Sequence, residues 1–276
     1  MILTQIKLGG MPMIQKVGMM LAGAFLAILG MAVVAQAQTV RGEGRYVSNA
    51  LTHLTPFKAI EIHGDAQVDV WQTDGQNVTI SGKSNLVELA DIRVENETLM
   101  IGFKRPVHIK GAHALHVTVG TNRLETITAK ERARVRVRGV FDMPQLIVTA
   151  SDHAYVTGNQ IQGDHLRVQA MNKAEVDLDR MQVKKLEAGL FDKAEVELSG
   201  AATTAQLINN GSGDLEADGL RVAQAHVQIN GSGDVDLFAT DTLKAEALGR
   251  GEIIYHGNPV LTRSGNLKLI KAAFED

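Results

Sequence analysis

Eight carboxylates recur as pairs, at intervals of about 20 residues: Glu175 and Asp177, Glu195 and Glu197, Asp214 and Glu216, Asp234 and Asp236. Each pair flanks one apolar residue, so on a strand both members point to the same side. Stacked strands lie about 4.8 Å apart, which would gather the pairs into a ladder of like charge. Oxygen ligands of this type suit Ca²⁺, so a divalent cation or a polycation is one occupant of such a ladder. A solvated face that resists edge pairing and aggregation is the other reading. Strand carboxylates lack the looped geometry that encloses calcium, and the spacing is not the nine-residue repeat of a calcium-binding β-roll. Beyond Ca²⁺, the sequence implies no cofactor.

The opposite charge stands earlier. Arg134, Arg136 and Arg138 alternate with Val135 and Val137, so three guanidinium groups share one face. With the acidic pairs farther along, the molecule would be electrically polar. The stripe would meet an anionic glycan, lipopolysaccharide or other envelope component, or another molecule's acidic ladder, or it is simply a solvated strand face. His108, His113 and His116 form the one histidine cluster. His113 and His116 lie three apart, which puts them on opposite faces of a strand, and ordinary loop histidines describe them better than a metal site. No Ser/His/Asp grouping, phosphate loop or zinc motif is visible, so no catalytic residue is assigned.

The pairs are carried by a repeat. Asn209-Asn-Gly-Ser-Gly-Asp214-Leu215 returns as Ile229-Asn-Gly-Ser-Gly-Asp234-Val235, and equivalent apolar anchors stand at Val135, Val156, Val176, Val196 and Ile253, with an isolated copy at Val68. The spacings between the regular anchors are 21, 20, 20, 19, 20 and 18 residues. Eight residues before the anchor stand Ile127, Val148, Val168, Ala188, Leu207, Val227 and Ala245, and two before it the residue is always Ala or Gly. Two after it come Val137, Gly158, Leu178, Leu198, Ala217, Leu237 and Tyr255. Alternating apolar positions indicate strands with one face buried. A unit of this size cannot bury its own apolar face, but stacked copies can. The sequence therefore specifies an all-β fold, a β-solenoid of about 20-residue rungs, each of two or three short strands. Seven or eight rungs would extend roughly 35 to 40 Å.

The small column marks a tight corner. Where it reads Gly-Ser-Gly, the expectation is a positive φ; in Asn172-Lys173-Ala174 and Asp192-Lys193-Ala194, Asn and Asp are the tolerated alternative. Asn209 stands in a column otherwise filled by Ala, Leu and Ile. An inward amide there must be hydrogen-bonded; we read it instead as a turn that begins one residue early.

Residues 1–37 read as an export signal. Lys16 supplies the positive region, Val17 to Val34 is apolar or small throughout, and Ala35-Gln36-Ala37 is a small-x-small cleavage site that places the mature start at Gln38. After cleavage no membrane span is expected. Met13-Ile-Gln-Lys16 makes a more usual beginning than Met1. The 276 residues include no cysteine, which excludes disulfides and thiolate chemistry, and the net charge of −3 gives no bias towards nucleic acid. Residues 38–56 form an extended lead-in. Residues 57–270 form the solenoid domain, from which 71–119 depart as hairpins that extend or cap the first rungs, and 271–276 are a tail. Asn258-Pro259 marks the end of the regular array, and Leu267 to Ile270 add a last strand.

The entry Phe57-Lys-Ala-Ile-Glu-Ile62, the repeated Gly-Ser-Gly-Asp and the ending Gly251-Glu-Ile-Ile-Tyr255-His-Gly-Asn-Pro259 resemble the bacterial family described as "putative auto-transporter adhesin, head GIN domain". The resemblance covers residues 57–270. It departs from the pattern in the middle rungs, where Ser151-Asp-His153, Met171-Asn-Lys173 and Phe191-Asp-Lys193 replace Gly-Ser-Gly. It implies an exported β-solenoid, in the periplasm, at the cell surface or outside the cell. It also implies a non-enzymatic, adhesin-like binding or structural module of the cell envelope, and it carries no catalytic residues. The alternative is a carbohydrate-active β-helix enzyme, which would need long loops forming a cleft and aromatic sugar platforms; the regular turns here have almost no insertions. Exposed solenoid ends would also allow stacking into oligomers.

Overall fold

The computed structural model describes residues 38–110, 115–266 and 268–272. The export signal and His113 lie outside them. In chain order, β1 (Gln38–Arg41) and β2 (Tyr46–Ala50) form the lead-in, and β3 (Ala59–Ile62) and β4 (Ala66–Gln72) the first repeat. The excursion holds β5 (Asn77–Lys83), α1 (Ser84–Leu89), β6 (Ala90–Glu95), β7 (Thr98–Phe103), β8 (Val107–Lys110) and β9 (Leu115–Thr121). The array follows: β10 (Thr126–Ala129), β11 (Arg134–Arg138), β12 (Phe141–Asp142), β13 (Gln145–Ala150), β14 (Tyr155–Asn159) and β15 (Ile161–Ala170). Its longer strands are β16 (Glu175–Leu190), β17 (Glu195–Asn209), β18 (Leu215–Ile229) and β19 (Val235–Ala247), before β20 (Glu252–His256), β21 (Val260–Gly265) and β22 (Lys268–Lys271).

These strands make a three-sided β-solenoid. On the first side, parallel pairing runs β7-β3-β10-β13-β15-β16-β17-β18-β19-β21. On the second, the anchor side, it runs β9-β4-β11-β14-β16-β17-β18-β19-β20-β22. A third, shorter side is built from β12, the start of β15 and the middles of β16 to β19. The long strands bend through the corners, where the register shifts, as between Leu178 and Met181.

The columns read from the sequence are the core. Val135, Val156, Leu215, Val235 and Ile253 are fully buried, as are Ile127, Val148, Leu207 and Val227. Each Val or Leu placed in such a column removes enough apolar surface from water to contribute about 1.5–3 kcal/mol. Gly158, which has no side chain to offer, is covered by Ile161 and Leu178, whose methyl groups occupy the space a Cβ would take.

Four expectations need correction. The excursion extends the first rungs, as expected, but it is not made of hairpins alone. β5 pairs antiparallel with β9 and β6 with β7, but α1 joins them with Leu86 fully buried, and β7 and β9 form a further parallel rung outside β3 and β4. The first repeat is therefore sandwiched between segments that follow it in the chain. Secondly, β22 is the last strand expected beyond Asn258-Pro259, but β21 was not expected there, and the two together make a further rung. Thirdly, the Gly-Ser-Gly corners do not need positive φ, since none of Gly211, Gly213, Gly231 or Gly233 has one. Glycine is required there by close approach, because a Cβ at Gly233 would overlap the Gly213 carbonyl oxygen and one at Gly213 the Ala194 carbonyl oxygen. Positive φ belongs to the other rungs, at Glu131, Asp152, Asn172 and Asp192.

Fourthly, Asn209 does not begin the turn early. It pairs with Leu190 and Ile229 in the inward column and is fully buried. Its Nδ2 donates to the Gly213 carbonyl at 2.8 Å and to that of Asp234 at 3.3 Å, and its Oδ1 accepts the Gly211 N–H at 3.0 Å. Asn209 sits where the turn changes type, between the positive-φ turn at Asp192 and the Gly-Ser-Gly turn of the next rung. Its amide satisfies backbone groups that the mismatched turns leave over.

Candidate binding surface

The outward residues of the anchor side are set by the ladder register. Glu175 faces Glu195, Asp177 faces Glu197, Glu197 faces Glu216 and Glu216 faces Asp236. The expected acidic ladder is therefore formed, and Asp179, Asp218 and Glu252 prolong it. The crowding is visible in its chemistry. Burial, and then the Asp179 and Glu197 charges, push the Asp177 carboxyl above its ordinary value. Burial also raises Asp236, which feels Asp218, and the Tyr155 phenol at the ladder's edge is raised by burial and then by Asp177 and Glu175.

Two of the eight carboxylates accept backbone N–H groups of the next rung. Asp214 Oδ1 accepts the Asp234 N–H at 2.8 Å, and Asp234 Oδ1 accepts the Glu252 N–H at 2.7 Å. The Asp of each Gly-Ser-Gly-Asp motif thus ties its rung to the next. Glu175, Asp177, Glu195, Glu197, Asp214 and Glu216 lie along a shallow, open groove. One cluster was not legible in the repeat: Asp218, Asp236 and His256, from three successive rungs, bring their ligand atoms within 4.8 Å of one another. His256 Nε2 lies 3.0 Å from Asp236 Oδ1, and the imidazole stacks on Phe238 at 6.3 Å, with the Arg221 guanidinium over the Phe238 ring. A His three residues after its anchor, in the same column as Asp218 and one rung beyond Asp236, was the signal that could have found it.

The arginine stripe is also formed, between β4 and β14, but its three groups diverge. Arg138 Nε reaches Asp69 Oδ1 at 3.4 Å, and Arg136 Nη2 donates to the Gln67 amide oxygen at 2.6 Å. Arg134 turns towards the corner, where Asp65, Gln67, His108, Lys110 and Arg132 line a second open pocket. A neutral rung of Tyr155, Thr157 and Asn159 separates the basic stripe from the acidic ladder, so the anchor side is electrically polar.

The histidines do not share a site among the described residues. His108 Nδ1 lies 2.9 Å from Asp65 Oδ2, and His116 Nε2 lies 3.2 Å from Asp69 Oδ2, each with its own carboxylate. On the first side, Glu187 is gathered by Lys185 and Arg167, both at 2.5 Å, and by His165 at 3.4 Å. The Lys185 ammonium and the Arg167 guanidinium hold this carboxyl at about 2, outweighing the effect of burial.

Residues 56–259 match the family described as "putative auto-transporter adhesin, head GIN domain", and the chain belongs to it. A "putative lipid binding protein" from Parabacteroides distasonis superposes with a TM-score of 0.78 at 18% identity, covering 86% of this chain and 100% of its own. A "putative adhesin" from Parabacteroides merdae gives 0.77 at 21%, again over 86% and 100% of the two chains. A "putative adhesin" from Bacteroides fragilis gives 0.59 at 21%, over 84% and 97%. At these identities the likeness is one of fold. No curated protein matches the chain. No helix among the described residues is long and apolar enough to cross a membrane.

Proposed function

We propose that this head GIN-domain protein is exported and acts without catalysis, through the outer faces of its solenoid, as an adhesin-like binding or structural module of the cell envelope. One observation carries the reading. The corners between sides are turns of a few residues, so the described residues build stacked strand faces and raise no loops around a cleft. Its charged side chains stand in rows on those faces, with acidic and basic rungs segregated along the anchor side. Such a surface recognises partners by charge pattern and by repetition along the stack, which favours an extended or polymeric partner. Family membership supports export, and the small-x-small site before Gln38 supplies a processing point.

The test is expression of the full chain in a bacterial host. The N-terminus of the exported product is sequenced, and that product is mixed with washed envelope fragments and with a panel of polysaccharides. A chain beginning at Gln38 that sediments with the fragments and leaves the polysaccharides intact is expected. An unprocessed cytosolic chain, or release of reducing or unsaturated sugar ends, would overturn the proposal.

A further inference from the structure

We propose that the corner where β4, β8 and β11 meet is a binding pocket for an anionic group of a glycan, a phosphate ester, sulfate ester or carboxylate. This deepens the surface-binding function above and rests on it for the identity of the partner, not for the existence of the site.

The pocket is organised by Asp65, whose side chain is only 12% exposed. Both its oxygens are spent inside the protein. Oδ2 accepts the Ile109 N–H at 2.6 Å and faces His108 Nδ1 at 2.9 Å, while Oδ1 lies 2.8 Å from Arg132 Nε in an ion pair. The carboxylate thus fixes the Arg132 guanidinium and the His108 ring. With Nδ1 donating to Asp65, His108 Nε2 accepts from Arg132 Nη1 at 3.5 Å, so the imidazole orients the guanidinium beside the same space. Gln67 lines it too, with its amide oxygen turned away to Arg136.

Lys110 and Arg134 complete the lining, and among the described residues neither has a carboxylate partner. Three permanent cations therefore surround one carboxylate whose lone pairs are occupied, in an open pocket of about 300 Å³. A site rich in oriented donors and short of acceptors suits an oxyanion, and a guanidinium fork with its rear nitrogen anchored is pre-organised for one. Carbon is scarce in the lining, with Ala66 and Ile109 the only apolar members. An acyl chain finds no bed there, which favours a sugar-borne anion over a lipid headgroup. The pocket opens at the corner that leads into the anchor side, so an extended polymer lying along that side places a pendant charge in it.

The experiment titrates the exported chain with a sugar phosphate, a sulfated disaccharide and a hexuronate oligosaccharide, followed by calorimetry at constant ionic strength. Inorganic phosphate and vesicles of anionic phospholipid are run in parallel. Saturable binding of at least one sugar anion is expected. Arg134→Gln and Lys110→Gln should each weaken it about tenfold, the effect of removing one charged hydrogen bond. Arg138→Gln, whose partner is Asp69 outside the pocket, should leave it unchanged. Arg132→Gln should abolish binding, but it also strips Asp65 of a partner. Among the described residues Arg134 and Lys110 hold no ion pair, so their variants are the ones that discriminate. Absence of saturable binding by every probe, or equal losses in the Arg138 variant, overturns the pocket. Binding of vesicles alone overturns the glycan assignment. Retention of envelope binding by the Arg134 and Lys110 variants would sink this inference and leave the broader function standing.

Discussion

Asn209→Leu separates what an inward polar group does from what an inward apolar group does at one point of the stack. Leu is close in size and occurs naturally in the same column at Leu190, so shape is nearly held constant. The substitution removes three hydrogen bonds and leaves the Gly211 N–H and the Gly213 carbonyl, inside a fully buried corner, without their partner. At about 1 kcal/mol net for each bond the loss is about 3 kcal/mol, with a further cost for stranded groups. The added apolar burial returns about 1–2 kcal/mol. A net destabilisation of about 2 kcal/mol is expected. Urea unfolding followed by circular dichroism measures it as a lower midpoint with an unchanged slope. Proteolysis should open the chain first near residues 209–214, because a solenoid yields locally at a weakened interface. A variant as stable as the parent, or more so, would refute the claim that Asn209 reconciles two turn types, and would mean that the corner relaxes into the geometry used at Ile229.

Gly233→Ala should cost about 2 kcal/mol or more, since its Cβ meets backbone that cannot move without shifting the rung; a thermal melt within a degree of the parent would contradict close approach as the reason for glycine. On acidification, Glu187 has a folded pKa of about 2 against an ordinary 4.5, so its ion-pair stabilisation is present above pH 4.5 and is lost as pH falls towards 2. Its partners are half exposed, and the screened contribution is about 1 kcal/mol; Glu187→Gln should remove that part of the acid transition, as seen by melts between pH 7 and 3. Asp177 and Asp236 carry the opposite sign: their raised carboxyls favour the folded state as pH falls, so Asp177→Asn should raise the melting temperature at pH 7 and low salt, with the gain shrinking as salt is added. Calcium chloride should raise the melting temperature no more than sodium chloride of equal ionic strength, because the ladder carboxylates lie on strands and two of them are tied to backbone; an excess rise lost on neutralising Glu195, Glu197, Asp214 and Glu216 would make the ladder a calcium site.

The sequence by itself determined the period, the inward columns and the charge rows, from Val135 to Ile253 and from Glu175 to Asp236. These follow from two short-range regularities, alternation along a strand and recurrence after one circuit of the coil, and both survive in a linear string. The resemblance of Gly251 to Pro259 and of the Gly-Ser-Gly-Asp copies to a known family added the expectation of export. What only the tertiary structure decided lies where those regularities break. The choice between steric and conformational glycine at 211–213 and 231–233 depends on how closely one rung's turn settles on the last, which no single copy records. The direction of Asn209 depended on a mismatch between neighbouring turns. The pocket was beyond reach because the excursion of residues 73–121 inserts β7 to β9 outside the first repeat while β10 and β11 stack on its other edge. Asp65, His108 and Arg132 thereby meet from three separate passes of the chain, and no spacing in the sequence marks them as neighbours.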